Sequence, residues 1–120
     1  MLLSAHQTGV LLAGVCTGTM LLAHAGVIGT RRACTHRGAW PDLSATGATL
    51  VPERVVDDGD LVTSGGVSNG IDLALWLLER EISPDLADRV AHRLEYPRVR
   101  PTTAGSAPEG TATPLPKRPA

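Results

Sequence analysis

The sequence predicts an α/β layer fold with a mostly parallel sheet. Short apolar runs of strand type alternate along the chain with longer runs of helical spacing. Val10–Val15 is apolar without polar alternation, as a strand buried on both faces is. The stretch Gly14-Val15-Cys16-Thr17-Gly18 joins that run to Met20-Leu21-Leu22-Ala23, the pattern of a strand turning sharply into a helix.

The elements follow in chain order. Residues 1–9 are short and mildly apolar, and Gly9 is placed to end a helix. Val10–Val15 is the first strand, and Thr17–Val27 the helix after the turn, with Leu21, Leu22 and Ala25 on its apolar face. Gly29 breaks the chain. Arg31–His36 reads as a short strand and Ala39–Thr46 as a short helix with Pro41 in its first turn, ended by Gly47. Thr49–Val51 and Arg54–Val56 are strand candidates. Asp57-Asp58-Gly59-Asp60 is a turn by composition, and Leu61–Thr63 returns as a strand, so Arg54–Val56 and Leu61–Thr63 read as a hairpin, or as one strand leading to the next layer. The longest helix is expected over Val67–Glu81, with Ile71, Ala74, Leu75 and Leu78 at helical spacing and Leu73, Trp76 and Leu77 widening the apolar surface. Ser83-Pro84-Asp85 carries a cap, a first-position proline and a first-turn acid. The helix it starts runs to about Tyr96, with Leu86, Val90 and Leu94 lining one face. Residues 97–120 hold six prolines in twenty-four positions. Such a segment buries no core and is expected to be a disordered tail whose removal changes stability by less than about 0.5 kcal/mol.

The strand-to-helix turn has the form of a nucleophile elbow. Small residues two before and two after the nucleophile allow a tight, strained backbone, and Gly14 and Gly18 occupy those places. Cys16 then stands at the start of a helix, where backbone N–H groups and the helix dipole favour a thiolate. The Thr17 amide is suitably placed to donate to a developing oxyanion. The competing reading is a small buried cysteine in a glycine-rich turn.

Around the elbow, the stretches Val15–Gly18, Leu21–His36, Arg54–Gly66, Gly70–Leu75 and Leu94–Tyr96 resemble, in order and spacing, the DJ-1/PfpI superfamily of the class I glutamine amidotransferase-like fold. Within it the sequence is most similar to the isonitrile hydratases. The resemblance implies that residues 1–96 are the C-terminal part of a three-layer, flavodoxin-like α/β/α domain. It also implies a cysteine nucleophile, Cys16, that attacks an isonitrile carbon, with Thr17 positioning substrate or donating to the oxyanion. Water then gives an N-substituted formamide. In that family an Asp or Glu from the upstream half sits beside the cysteine, whereas the first carboxylate of this sequence is Asp42. The chain as written is therefore expected to have little or no hydratase activity, for want of the general acid.

Other residues carry two readings each. His36 matches a Thr-His pair of the family and fits a Cys–His base, or a histidine satisfied in a hydrogen-bonded turn. Gly65 and Gly66 open a helix and fit an anion nest, or close packing beside the elbow. Cys34 reads as inert, and Asp72 as structural. Two alternatives to an enzyme are the ligand-sensing domain of a transcriptional regulator, marked by a helix-turn-helix after Tyr96, and a non-functional fragment.

Composition excludes several classes. With 11 Lys and Arg against 12 Asp and Glu the chain carries a net charge of −1, with no electrostatic footprint for nucleic acid. The core is built from Leu, Val, Ala and Ile, since the aromatics are only Trp40, Trp76 and Tyr96. Two cysteines, no spacing of metal-ligand type and no Rossmann or P-loop glycine pattern predict free thiols, a cytoplasmic location, no metal and no cofactor. Residues 10–28 are long enough to cross a bilayer. Gly14, Gly18, Gly26, Thr17, Thr19 and His24 within them, and the lack of an early positive charge, argue for a strand and buried helix instead. A half-sheet also leaves an apolar strand edge, so a homodimer or other self-association is expected.

Overall fold

The computed structural model describes residues 1–101, and the expectation for 102–120 lies outside them. Helix α1 (Leu2–Gln7) leads to strand β1 (Leu12–Val15) and helix α2 (Gly18–His24). Strand β2 (Arg32–Ala33), a 3-10 turn (Arg37–Ala39), helix α3 (Trp40–Ala45) and strand β3 (Thr49–Leu50) follow. Strands β4 (Val55–Asp57) and β5 (Leu61–Ser64) precede the helical pair α4 (Asn69–Glu81) and α5 (Pro84–Arg93).

The main sheet has the order β1-β5-β4. β1 runs parallel to β5, with Gly14 opposite Thr63 and Val15 opposite Ser64. β4 and β5 form an antiparallel hairpin, the first of the two readings open in the sequence. Gly59 turns it at φ +88°, and the Asp57 carboxylate accepts the Gly59 N–H at 2.9 Å. β2 and β3 make a separate parallel pair. Period-two alternation along β5 divides the core into layers. Leu61 packs with Leu22, Val27, Ile28, Ala33 and Leu43 on one face. Val62 packs with Val55 and Leu73 of α4 on the other. The result is a partial α/β/α sandwich.

Several expectations are corrected. β1 is not buried on both faces: it lies at the edge of the described sheet, so only Gly14 is buried and Val15 stays 39% exposed. α2 ends at His24 because Gly26 takes φ +82°, and its inward residues are Thr19 and Leu22 while Leu21 is exposed. The 31–36 strand shrinks to Arg32–Ala33. α4 starts two residues late, after a turn at 67–68, and turns Asp72, Leu73 and Leu75 inward, leaving Ile71 and Ala74 exposed. α5 opens as expected, with Ser83 Oγ accepting the Leu86 N–H at 3.1 Å. It stops at Arg93 and buries Ala87 and Ala91, small residues that let it approach α4 closely, while Leu94 is 57% exposed. Residues 97–101 are not a free tail either. Arg98 bonds Glu79 at 2.8 Å and Asp88 at 2.6 Å, Arg100 bonds Glu79 at 2.9 Å, and Pro101 is buried. Among the described residues no helix is long and apolar enough to cross a membrane.

Candidate active site

β1 delivers the chain to Cys16 with its backbone in the left-handed region, φ +58°. A non-glycine residue there costs on the order of 1–3 kcal/mol and persists only where its surroundings enforce it. Three hydrogen bonds do so. The Cys16 N–H donates to Ser64 O at 3.2 Å. The Cys16 carbonyl accepts the Thr19 N–H at 3.3 Å and the Thr35 hydroxyl at 2.8 Å. Thr17 follows in right-handed geometry, φ −68° and ψ −10°, as the residue before α2. Its N–H makes no hydrogen bond among the described residues. The Cys16 thiol is free and partly exposed.

The two flanking glycines do different work. A Cβ on Gly14 would stand 2.8 Å from Thr19 Oγ1 and 3.0 Å from Thr19 Cα, so the elbow closes tightly on that side. A Cβ on Gly18 would meet nothing within 4 Å. The expected collision at Gly18 is corrected: it begins α2, whose axis carries its Cβ direction into open space.

Cys34 lies one layer in. It is 1% exposed, and its thiol donates to Glu53 O at 3.0 Å. Burial pushes that thiol up to about 11, against the pull of those carbonyl contacts. His36 is exposed, and its Nδ1 accepts the Gly38 N–H at 2.9 Å, capping the 3-10 turn. This is the geometry of a histidine satisfied in its own turn. No hydrogen bond joins it to Cys16 among the described residues. Gly65 donates to Arg54 O at 3.0 Å, and a Cβ there would stand 2.8 Å from Asn69 Nδ2. Its amide is thus committed, and close packing accounts for it better than an anion nest. Gly66 sits against the His36 ring, 3.5 Å from a built Cβ to Cδ2.

Sequence reasoning singled out Cys16 and Thr17 but missed Thr35, which is fully buried and reaches the elbow from nineteen residues away. Its only sequence signal is its place beside His36. Asp72, read from the sequence as structural, has its partners in side chains outside its own helix. It is buried, accepts the Tyr96 hydroxyl at 3.1 Å and pairs with Arg54 at 3.6 Å. Burial raises its carboxyl above the usual range, opposed by the Tyr96 bond and the Arg54 charge. It anchors the end of the helical pair rather than the elbow. Among the described residues no group of three or more His, Cys, Asp or Glu side chains comes together to hold a metal ion.

An edge-to-helix cysteine elbow in a partial α/β/α sandwich defines a class of domain, and comparison with known proteins agrees with it. The DJ-1/PfpI family model matches residues 1–80, and the chain belongs to that family. It is 45% identical over 93 residues to an isonitrile hydratase of Pseudomonas putida, covering 77% of this chain and 40% of that protein. It is 35% identical over 102 residues to the HTH-type transcriptional regulator CdhR of Pseudomonas aeruginosa, covering 79% of this chain and 29% of the regulator. Among solved structures, Drosophila melanogaster DJ-1beta superimposes with a TM-score of 0.71 at 27% identity, over 80% of this chain and 52% of that one. The chain thus spans less than half the length of these two curated relatives.

Proposed function

We propose that this chain carries the nucleophile portion of a cysteine-dependent site of the isonitrile hydratase type, acting in a reducing, cytoplasmic setting on a small-molecule substrate. The observation that carries the reading is Cys16 held at φ +58° between β1 and α2, with its thiol accessible and the Thr17 N–H unclaimed. The similarity to the Pseudomonas putida hydratase supports the choice of substrate class.

In this reading the Cys16 thiolate attacks the terminal carbon of the isonitrile, and that carbon takes a proton to give a thioimidate, R–N=CH–S–Cys16. Water then adds at the same carbon while the nitrogen takes a proton, the C–S bond breaks, and R–NC plus H2O becomes R–NH–CHO with the thiolate restored. Thr17 N–H supports negative charge that develops at the oxygen of the added water. No carboxylate of this chain is assigned to the proton transfers. General acid–base help is typically worth 10²–10⁴-fold, so turnover by the 120-residue chain is expected to fall short of a fully equipped site by about that factor. The test is formamide formation from a simple alkyl isonitrile, with wild type beside Cys16→Ser. A slow wild-type rate that Cys16→Ser abolishes supports the reading, and equal rates in both overturn it.

The similarity to CdhR favours a second reading, a ligand-sensing domain without turnover. There a small molecule would bind both wild type and Cys16→Ser with similar affinity, and no formamide would form.

A further inference from the structure

We propose that Thr35 is a positioning residue whose hydroxyl holds the Cys16–Thr17 peptide in one orientation and so aims the Thr17 N–H at the reacting centre. The inference rests on the proposed function only for the role of that N–H as an oxyanion donor.

A trans peptide is planar, and its C=O and N–H point in opposite directions. Fixing the Cys16 carbonyl therefore fixes the Thr17 amide. Thr35 Oγ1 donates to that carbonyl at 2.8 Å. The other bond to it, from the Thr19 N–H, is longer at 3.3 Å and belongs to the turn itself. The turn is short and strained at Cys16, so a rotation of this one peptide plane is its easiest failure. A rotated plane would present a carbonyl oxygen where the donor is needed. Thr35 resists this from a separate layer and is itself held rigidly. It is fully buried, its carbonyl accepts Trp40 Nε1 at 3.0 Å, and the neighbouring Cys34 N–H donates to Thr63 Oγ1 at 2.9 Å. A hydrogen bond to the carbonyl also polarises the peptide and strengthens its N–H as a donor.

The experiment compares two reagents on the 120-residue chain, Thr35→Val, Thr35→Ser and Cys16→Ser. With p-nitrophenyl acetate the Cys16 thiolate, its proton lost to buffer, bonds to the ester carbonyl carbon. The carbonyl π pair becomes an oxyanion, which collapses with cleavage of the C–O bond and release of p-nitrophenolate. With iodoacetamide the sulfur displaces iodide at a saturated carbon and no oxyanion forms. Losing a whole oxyanion donor costs about 10²–10³-fold, so a misaimed one should lower the Cys16-dependent p-nitrophenolate burst about tenfold in Thr35→Val. The iodoacetamide rate stays within about twofold and its pH midpoint within about 0.3 unit, and Thr35→Ser restores the burst. An unchanged burst, or equal losses with both reagents, overturns the inference. If the wild-type burst equals that of Cys16→Ser, the nucleophile reading itself fails. The Thr17 amide cross-peak in a 1H–15N NMR spectrum then decides about Thr35: it should move in Thr35→Val and return in Thr35→Ser. A cross-peak unmoved by Thr35→Val overturns the inference whatever the chemistry. Should Thr35→Val not fold, Thr35→Ala is the second donorless variant and must give the same pattern.

Discussion

Cys16 and Cys34 are the same side chain in opposite surroundings. Cys34 is sealed from solvent and its thiol is pushed up to about 11, whereas Cys16 is accessible at the elbow. Alkylation is carried by the thiolate. Iodoacetamide at pH 8, followed by peptide mapping, is therefore expected to label Cys16 and leave Cys34 protected until the protein unfolds. Labelling of Cys34 at an equal or faster rate in folded protein would contradict the elbow assignment. The sign of the pH effect follows from the direction of the shift. Folding favours the neutral Cys34 thiol, so its contribution to stability is complete below pH 9, its ordinary range, and is lost as pH rises toward 11. Chemical denaturation of Cys34→Ala should show a shallower loss of stability across that window than wild type.

At the scale of elements, glycine punctuation was legible and facing was not. The hairpin turn at Gly59 and the Ser83 cap could be read because each is enforced by a residue acting on its own backbone, and the elbow was legible from its flanking glycines although Ser64 and Thr35 hold it from elsewhere in the chain. Which apolar residues point inward depends on the layer that arrives from elsewhere. Leu21 and Leu94 have the right spacing and face solvent, while Ala87 and Ala91 carry the α5 contact. Thr35 was hidden for the same reason, since its role depends on a residue nineteen positions away. The two elbow glycines, alike in sequence, separate cleanly in space. Gly14→Ala drives a methyl into Thr19 and is expected to destabilise by about 1–3 kcal/mol. Gly18→Ala enters open space at a helix start and is expected to be neutral or to stabilise by about 0.5 kcal/mol. Urea unfolding of both variants checks the pair, and similar losses in the two would show that the elbow is tight on both sides. The segment after α5 gives a second contrast. Its ion pairs to Glu79 and Asp88 begin at Arg98, so a chain cut after Tyr96 should be less stable than one cut after Pro101 by about 2 kcal/mol, the scale of hydrogen bonds to charged groups. Equal melting temperatures would show that these contacts contribute nothing net.

For the whole molecule, the main sheet and the size of the relatives bear on the same question. The chain covers 40% of the isonitrile hydratase it matches, and β1 stands at one edge of the described sheet. Leu12 and Cys16 donate inward, to Asp60 O and Ser64 O, so the alternate residues Ala13 and Val15 present their backbone groups to the open side. Both side chains are exposed, and no charged residue lies between Val10 and Val15 to deter pairing. An uncharged strand edge of this kind recruits another strand. The expected outcome is self-association of the isolated chain, seen as a weight-average mass that rises with concentration in sedimentation or light scattering. Lysine on an edge strand opposes such pairing, because addition of a second strand would bring charges together and strip their water. Ala13→Lys should therefore shift the midpoint of association about tenfold to higher concentration, equivalent to roughly 1.4 kcal/mol. The thermal unfolding of the dilute protein should barely change, since Ala13 already faces solvent. A wild-type chain that stays monomeric at all concentrations, or a lysine variant that associates as strongly as wild type, would remove β1 as the contact.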